Sequence, residues 1–147
     1  MAVHQYTDTQ TLQKSTQELF DLVMDIESYP QFLPWCIHAR ITKHLDDHNL
    51  EAVLGIGYGP LSENFTSHVT WGTEEGHLYI ESKSIKGPID HLNSRWIFKE
   101  LSPNSCELTY KVSFEVEGGF LSKVLENVFH QIAESMVKAF KTKALQG

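Results

Sequence analysis

Residues 107–117 read Glu-Leu-Thr-Tyr-Lys-Val-Ser-Phe-Glu-Val-Glu. Leu108, Tyr110, Val112, Phe114 and Val116 alternate with polar or charged residues. Side chains of a strand point to opposite faces in turn, so this pattern predicts a strand with one wet face and one greasy one. Gly118-Gly119 ends the run, and the period then changes. Over residues 120–143, Leu121, Leu125, Val128, Phe129, Ile132, Met136 and Phe140 recur at spacings of three and four. That spacing predicts an amphipathic helix of about 24 residues, roughly 36 Å long. A half-buried strand followed by a long one-faced helix frames the rest of the chain.

Upstream of residue 107 the period is also two. Ile37, Ala39 and Ile41 alternate, as do Ala52, Leu54, Ile56 and Tyr58. Phe65, Val69 and Trp71 share one side of a run, and Leu92, Trp96 and Phe98 share one side of another. Turn residues separate these runs at 46–49, Gly59-Pro60, 74–76, 86–88 and Pro103-Asn104. Such short connections fit antiparallel hairpins, because parallel neighbours need a long crossover. About six strands therefore span Cys36 to Glu117, and residues 3–11 add a first one. Between them Ser15-Thr-Gln-Glu18 has the form of a capping box. Leu19, Phe20, Leu22, Val23 and Ile26 follow at helical spacing, predicting a helix over about 16–26.

Next comes Tyr29-Pro-Gln-Phe-Leu-Pro-Trp-Cys36. Pro30 and Pro34 lack an N–H and fix their own φ, which denies this segment a long helix or an interior strand. It has room for one short helical turn, and its apolar surface must still be buried. The expected class is α+β, in the order β-α-α-β6-α. One antiparallel sheet of about seven strands must cover one apolar face, and only the last helix is long enough to lie across it. A strongly twisted sheet curls around such a helix, touching it well in one place and diverging in another. The divergence is expected to leave an apolar cavity whose mouth the proline segment closes. That segment is either a gate for the cavity or a plug of the core, with the Trp35 rings buried and the indole N–H reaching the surface.

These residues resemble a known family. Tyr29-Pro30-x-Phe32-x-Pro34-Trp35, Glu63-x-Phe65-x-Ser67, and Gly87-Pro88 followed by Leu92 and Trp96-x-Phe98 are similar to motifs of the coenzyme Q-binding proteins. These form a branch of the START and polyketide-cyclase superfamily, with the helix-grip fold. Ile89, Asp90 and Val116 depart from the usual pattern, which has Phe and a basic residue after Gly-Pro and a second aromatic in place of the valine. The resemblance covers the chain from end to end, as a single START-like domain over 1–147. It implies that ubiquinone, another isoprenoid quinone or a similar lipid is carried in the cavity, in respiration and quinone biosynthesis, with no bond-making chemistry and no cofactor, and it favours the proline segment as a gate over a plug. The residues expected against that lipid are Tyr29, Phe32, Leu33 and Trp35 in the proline segment. On the strands they are Leu54, Ile56, Phe65, Leu92, Trp96 and Phe114, and on the last helix Leu125, Val128, Phe129 and Ile132. The same branch contains bacterial proteins described as ribosome-association toxins, so the ribosome is the alternative partner. A cyclase or dehydratase on the same scaffold is a further alternative. It would need converging ionisable groups, whereas the expected inward positions are almost all apolar.

Composition narrows the remaining classes. The 147 residues carry 12 Lys and Arg against 19 Asp and Glu, a formal charge of −7. An acidic chain is a poor DNA binder, because phosphate neutralisation needs clustered Lys and Arg. Lys138, Lys141 and Lys143 crowd the end of the last helix, where they complement its dipole. Two cysteines, Cys36 and Cys106, make no disulfide framework. The first residues lack a signal-peptide pattern, and no apolar stretch approaches the ~20 residues needed to span a bilayer. The expectation is a soluble cytoplasmic protein with at most peripheral contact with the inner membrane. Eight histidines form no metal-ligand spacing, since His44 and His48 fall at a turn and Cys36-x-His38 lacks a second pair. Gly55-x-Gly57-x-Gly59 sits in a strand, where it reads as a bend and not as a phosphate loop. Glu63, Asp90 and Arg95 belong either to the cavity mouth or to the outer face of the sheet.

Overall fold

The computed structural model describes the backbone of residues 2–59, 61–86, 90–116 and 120–146; within these, the side chains of 2, 3, 58, 61, 90, 116 and 120–126 are not described. The Gly118-Gly119 stop, Pro60 and the Gly87-Pro88-Ile89 run lie outside the described residues, as do the side chains of Asp90, Val116, Leu121 and Leu125.

The chain runs β1 (Ala2–Leu12), α1 (Thr16–Met24), a 3-10 turn (Ile26–Gln31), β2 (Cys36–Asp46), β3 (Asn49–Tyr58), β4 (Leu61–Glu74), β5 (His77–Lys86), β6 (Asp90–Ser102), β7 (Ser105–Val116) and α2 (Phe120–Gln146). The seven strands form one curved antiparallel sheet in the order β1-β7-β6-β5-β4-β3-β2. Consecutive strands from β2 to β7 are neighbours, as short hairpins require, and β1 closes against β7 at the far edge.

Local chemistry sets the elements. Ser15 Oγ accepts from the Glu18 N–H at 3.1 Å, and Glu18 accepts from the Ser15 N–H at 3.2 Å, so the capping box forms as read. The helix it starts stops at Met24, two residues short of expectation, and the backbone tightens into the 3-10 turn that contains Pro30. The Tyr29 hydroxyl donates to the Val23 carbonyl near the end of α1, pinning that turn. α2 runs three residues beyond its expected end.

The outermost strand β2 is blunted. Its pairing with β3 is interrupted three times, and Glu27 Oε2 accepts from the Ile41 N–H at 3.1 Å. Bulges and a covering carboxylate are the usual means of stopping an edge strand from recruiting another chain. The Gly55 position has a different cause from the expected bend: a Cβ there would collide with the His38 ring. Only glycine lets that ring lie across the strand, where it hydrogen bonds Asn64 at 2.8 Å.

The core lies between the inner face of the sheet and the two helices. Phe65, Phe98, Phe114, Phe140, Leu33, Leu50 and Cys106 are its most deeply buried side chains. Phe140 of α2 meets Tyr29, Phe32 and Trp96 edge-on, with ring centroids 5.3, 5.1 and 5.0 Å away. Each such pair contributes ~0.5–1.5 kcal/mol beyond simple burial. This knot binds the proline segment, the sheet and the C-terminal half of α2 together.

Candidate functional site: a cavity under the long helix

α2 approaches the sheet most closely along β1 and β7, and rests also on α1. It thus lies toward one side of a curved sheet, and the inner faces of β3 to β6 fall away from it. The space left is filled incompletely. Two adjoining chambers remain, with about 560 and about 620 Å³ of empty space, including the part continuous with solvent. Six residues line both: Leu54, Ser67, Ser82, Ser94, Tyr110 and Met136. The chambers therefore overlap and form one continuous hollow between the sheet and the helices.

The first chamber lies under α1 and the 3-10 turn, between Val23, Ile26 and Tyr29 on one side and Val69, Ile80 and Trp96 on the other. The second lies under α2, between Trp35, Phe129 and Ile132 and the strand residues Ile56, Phe65 and Phe114. Among the described lining residues none carries a charge, and none is His or Cys. The ionisable groups present are phenols. Burial pushes those of Tyr29 and Tyr110 well above the ordinary 10.0, so both stay neutral. Nearby, burial pushes the Cys36 thiol up to about 11, which makes it a poor nucleophile at neutral pH.

Of the residues expected against a ligand, Tyr29, Trp35, Leu54, Ile56, Phe65, Leu92, Trp96, Phe114, Phe129 and Ile132 line one chamber or the other. Phe32, Leu33 and Val128 do not. Phe32 turns away onto Phe140, with the Lys143 ammonium 5.9 Å from its ring centre. Leu33 is wholly enclosed by packing, and Val128 is buried in the core. The Leu125 side chain lies outside the described residues.

The proline segment is a packed wall. Tyr29, Leu33 and Trp35 are 8%, 0% and 3% exposed. The Trp35 indole N–H does not reach the surface as expected; it donates to Ser135 Oγ on α2 at 2.9 Å, and Ser135 in turn donates to the Ile132 carbonyl. An acceptor supplied by a distant helix satisfies the N–H inside the protein, so burial of the whole indole carries no polar penalty. The Trp35 carbonyl accepts from the Gly57 N–H at 2.9 Å, tying the segment to β3 as well.

Arg95 belongs to the outer face. Its guanidinium pairs with Glu81 and, at 2.8 Å, with Glu74, and lies over the Tyr79 ring at 4.3 Å. Its neighbours Ser94 and Trp96 point the other way, into the cavity. Glu63 is exposed on β4. No group of three His, Cys, Asp or Glu close enough to hold a metal occurs among the described residues. No described helix is long and apolar enough to cross a membrane.

Sequence reasoning passed over Ser67, Ser82, Ser94 and Tyr110 as site residues. The signal was present: Ser67 shares parity with Phe65 and Val69, and Ser94 with Leu92 and Trp96. A hydroxyl at an inward position of each of three successive strands is the feature that alternation exposes once serine is not scored as outward.

A curved sheet, a covering helix and a mostly apolar hollow define a lipid-binding or cyclase-type scaffold. The family model for polyketide cyclase / dehydrase and lipid transport proteins matches residues 12–141, and the chain belongs to that family. A Rickettsia prowazekii protein named ribosome association toxin RatA is 37% identical over 142 residues, spanning 95% of this chain and 94% of that one. A mitochondrial coenzyme Q-binding protein, COQ10, from Dictyostelium discoideum is 28% identical over 135 residues, 90% of this chain and 64% of that one. A START superfamily protein from Mycobacterium smegmatis superposes with a TM-score of 0.82 at 20% identity, covering 97% and 98% of the two chains. That likeness fixes the helix-grip fold.

Proposed function

We propose that the protein binds a neutral isoprenoid quinone, or a lipid of similar shape, between the sheet and α2, and carries it without making or breaking bonds. The observation behind this reading is a hollow lined by aliphatic and aromatic groups, with hydroxyls as its polar features and no charged described residue on its walls. Burial of an apolar tail there gains ~25 cal/mol per Å² of apolar surface removed from water. The family's lipid transport members and the coenzyme Q-binding relative support the same ligand class. Acid–base or nucleophilic catalysis needs groups that change charge near neutral pH. The two buried phenols are held far from that range, which supports a carrier over a cyclase or dehydratase.

The test is titration of lipid-stripped protein with a short-chain ubiquinone, followed by quenching of tryptophan fluorescence. Trp35 and Trp96 line the two chambers, so saturable quenching at one quinone per chain is expected. An unchanged spectrum up to the solubility limit of the quinone would refute the reading. The RatA relative favours a second reading, association with the ribosome. Salt-sensitive co-sedimentation with ribosomal subunits would support it, and the −7 charge makes a protein contact a better candidate than direct rRNA contact.

A further inference from the structure

The polar groups of the cavity are arranged in a line. Ser82 of β5 lies directly opposite Ser94 of β6. Ser67 of β4 is one diagonal step from Ser82, because Ser67 pairs with Ser84 and Val69 with Ser82. Tyr110 of β7 is one diagonal step from Ser94, because it pairs with Trp96. Directly opposed Cβ atoms sit about 5 Å apart and diagonal ones about 7–8 Å, so four hydroxyl-bearing side chains cross four strands obliquely. All four line both chambers, which places the row at their junction.

These hydroxyls make no side-chain hydrogen bond to any described residue. Tyr110 is the telling member, at 4% exposed. A buried tyrosine hydroxyl ordinarily finds a partner, as that of Tyr29 does at the Val23 carbonyl. The Tyr110 side chain lines both chambers without such a partner among the described residues, which leaves its hydroxyl available to an acceptor or donor that arrives with the ligand.

We propose that Ser82, Ser94 and Tyr110, with Ser67 extending the row, hold the polar end of the ligand, and that this end is an uncharged carbonyl or hydroxyl. This rests on the reading of the cavity as a lipid site. Hydroxyls both donate and accept, so they suit a ketone or an alcohol. A carboxylate or phosphate entering the same place would leave water without a cation or a cluster of backbone N–H groups to receive it, and is therefore rejected. The ring of a quinone would lie at the chamber junction beside Trp96 and Tyr110, whose ring centres are 4.4 Å apart, with its tail following one chamber outward.

Binding of three probes to the whole chain tests this. The probes are a ubiquinone with two isoprene units, a polyisoprene hydrocarbon without oxygen, and palmitate at pH 8. Wild type is expected to bind the quinone well, the hydrocarbon more weakly and palmitate least. Tyr110→Phe is expected to weaken the quinone about 3- to 10-fold, and the double change Ser82→Ala/Ser94→Ala about tenfold, with hydrocarbon affinity unchanged in both. Thermal midpoints within a few degrees of wild type show that each variant is folded, and the two variants report on the row independently. Equal quinone affinity in wild type and both variants overturns the hydroxyl row while leaving lipid binding intact. Palmitate binding as tight as the quinone overturns the uncharged head group. Failure of wild type to bind either quinone or hydrocarbon overturns the cavity reading and this inference together.

Discussion

Replacing Ala133 by leucine separates a hollow from a solid core, because the two give opposite signs. Ala133 is 4% exposed on the sheet-facing side of α2 and lines the second chamber. In a close-packed interior the added carbons would force neighbours off their rotamers, at a cost of ~1–3 kcal/mol. Here the three extra carbons point into the second chamber, which Ala133 lines, and not into packed side chains. Their transfer from water gains ~0.8 kcal/mol each, and fixing the leucine side chain costs ~0.5–1 kcal/mol. A net stabilisation of roughly 1.5 kcal/mol is expected for lipid-stripped protein, together with at least a tenfold loss of quinone affinity because the ligand's space is occupied. Val137 lies one turn further along α2, is 3% exposed and lines neither chamber. Val137→Phe is the overpacking control, expected to destabilise by ~1–3 kcal/mol. Urea unfolding of ligand-free protein and fluorescence titration with the quinone read both quantities. Destabilisation of Ala133→Leu by as much as the control would mean that the space beside Ala133 is already filled.

Phe140→Ala should cost about 3–5 kcal/mol in urea unfolding, since it removes a deeply buried ring and its edge contacts with Tyr29, Phe32 and Trp96. Stability should be level between about pH 7 and 9 and fall as the pH rises further. Burial holds Cys36 at about 11 and Tyr29 and Tyr110 higher still, so above 9.0 the unfolded chain releases protons that the folded one keeps. Tyr110→Phe should flatten that decline, as measured by urea midpoints across pH 7–11. Gly55→Ala should displace the His38 ring from Asn64 and cost ~0.5–1.5 kcal/mol, visible as a lowered urea midpoint and a shifted His38 ring resonance.

The alternation in residues 107–117 made β7 legible because that strand has one core face and one polar face. The capping box at Ser15 was equally local, and so was the three-and-four spacing along α2. What could not be read was whatever depended on a partner far along the chain. Trp35 finds its acceptor at Ser135, a hundred residues away, so its burial could not be told from snorkelling. Phe32 and Leu33 lie in backbone without a period, where nothing in the sequence says which side chain faces a hollow and which faces packing. The hydroxyl row was hidden for another reason. Each serine is unremarkable within its own strand, and only the cross-strand register brings Ser67, Ser82 and Ser94 into line with Tyr110.

On the proposed reading, a neutral lipid occupies the space under α2. Native mass spectrometry of the whole chain, purified without detergent from a respiring host, tests this most directly. The expected spectrum shows one noncovalent adduct per chain with the mass of an isoprenoid quinone or similar neutral lipid, recovered in an organic extract and absent from Ala133→Leu. A wild-type spectrum showing only the bare polypeptide mass, with an extract free of lipid, would contradict it.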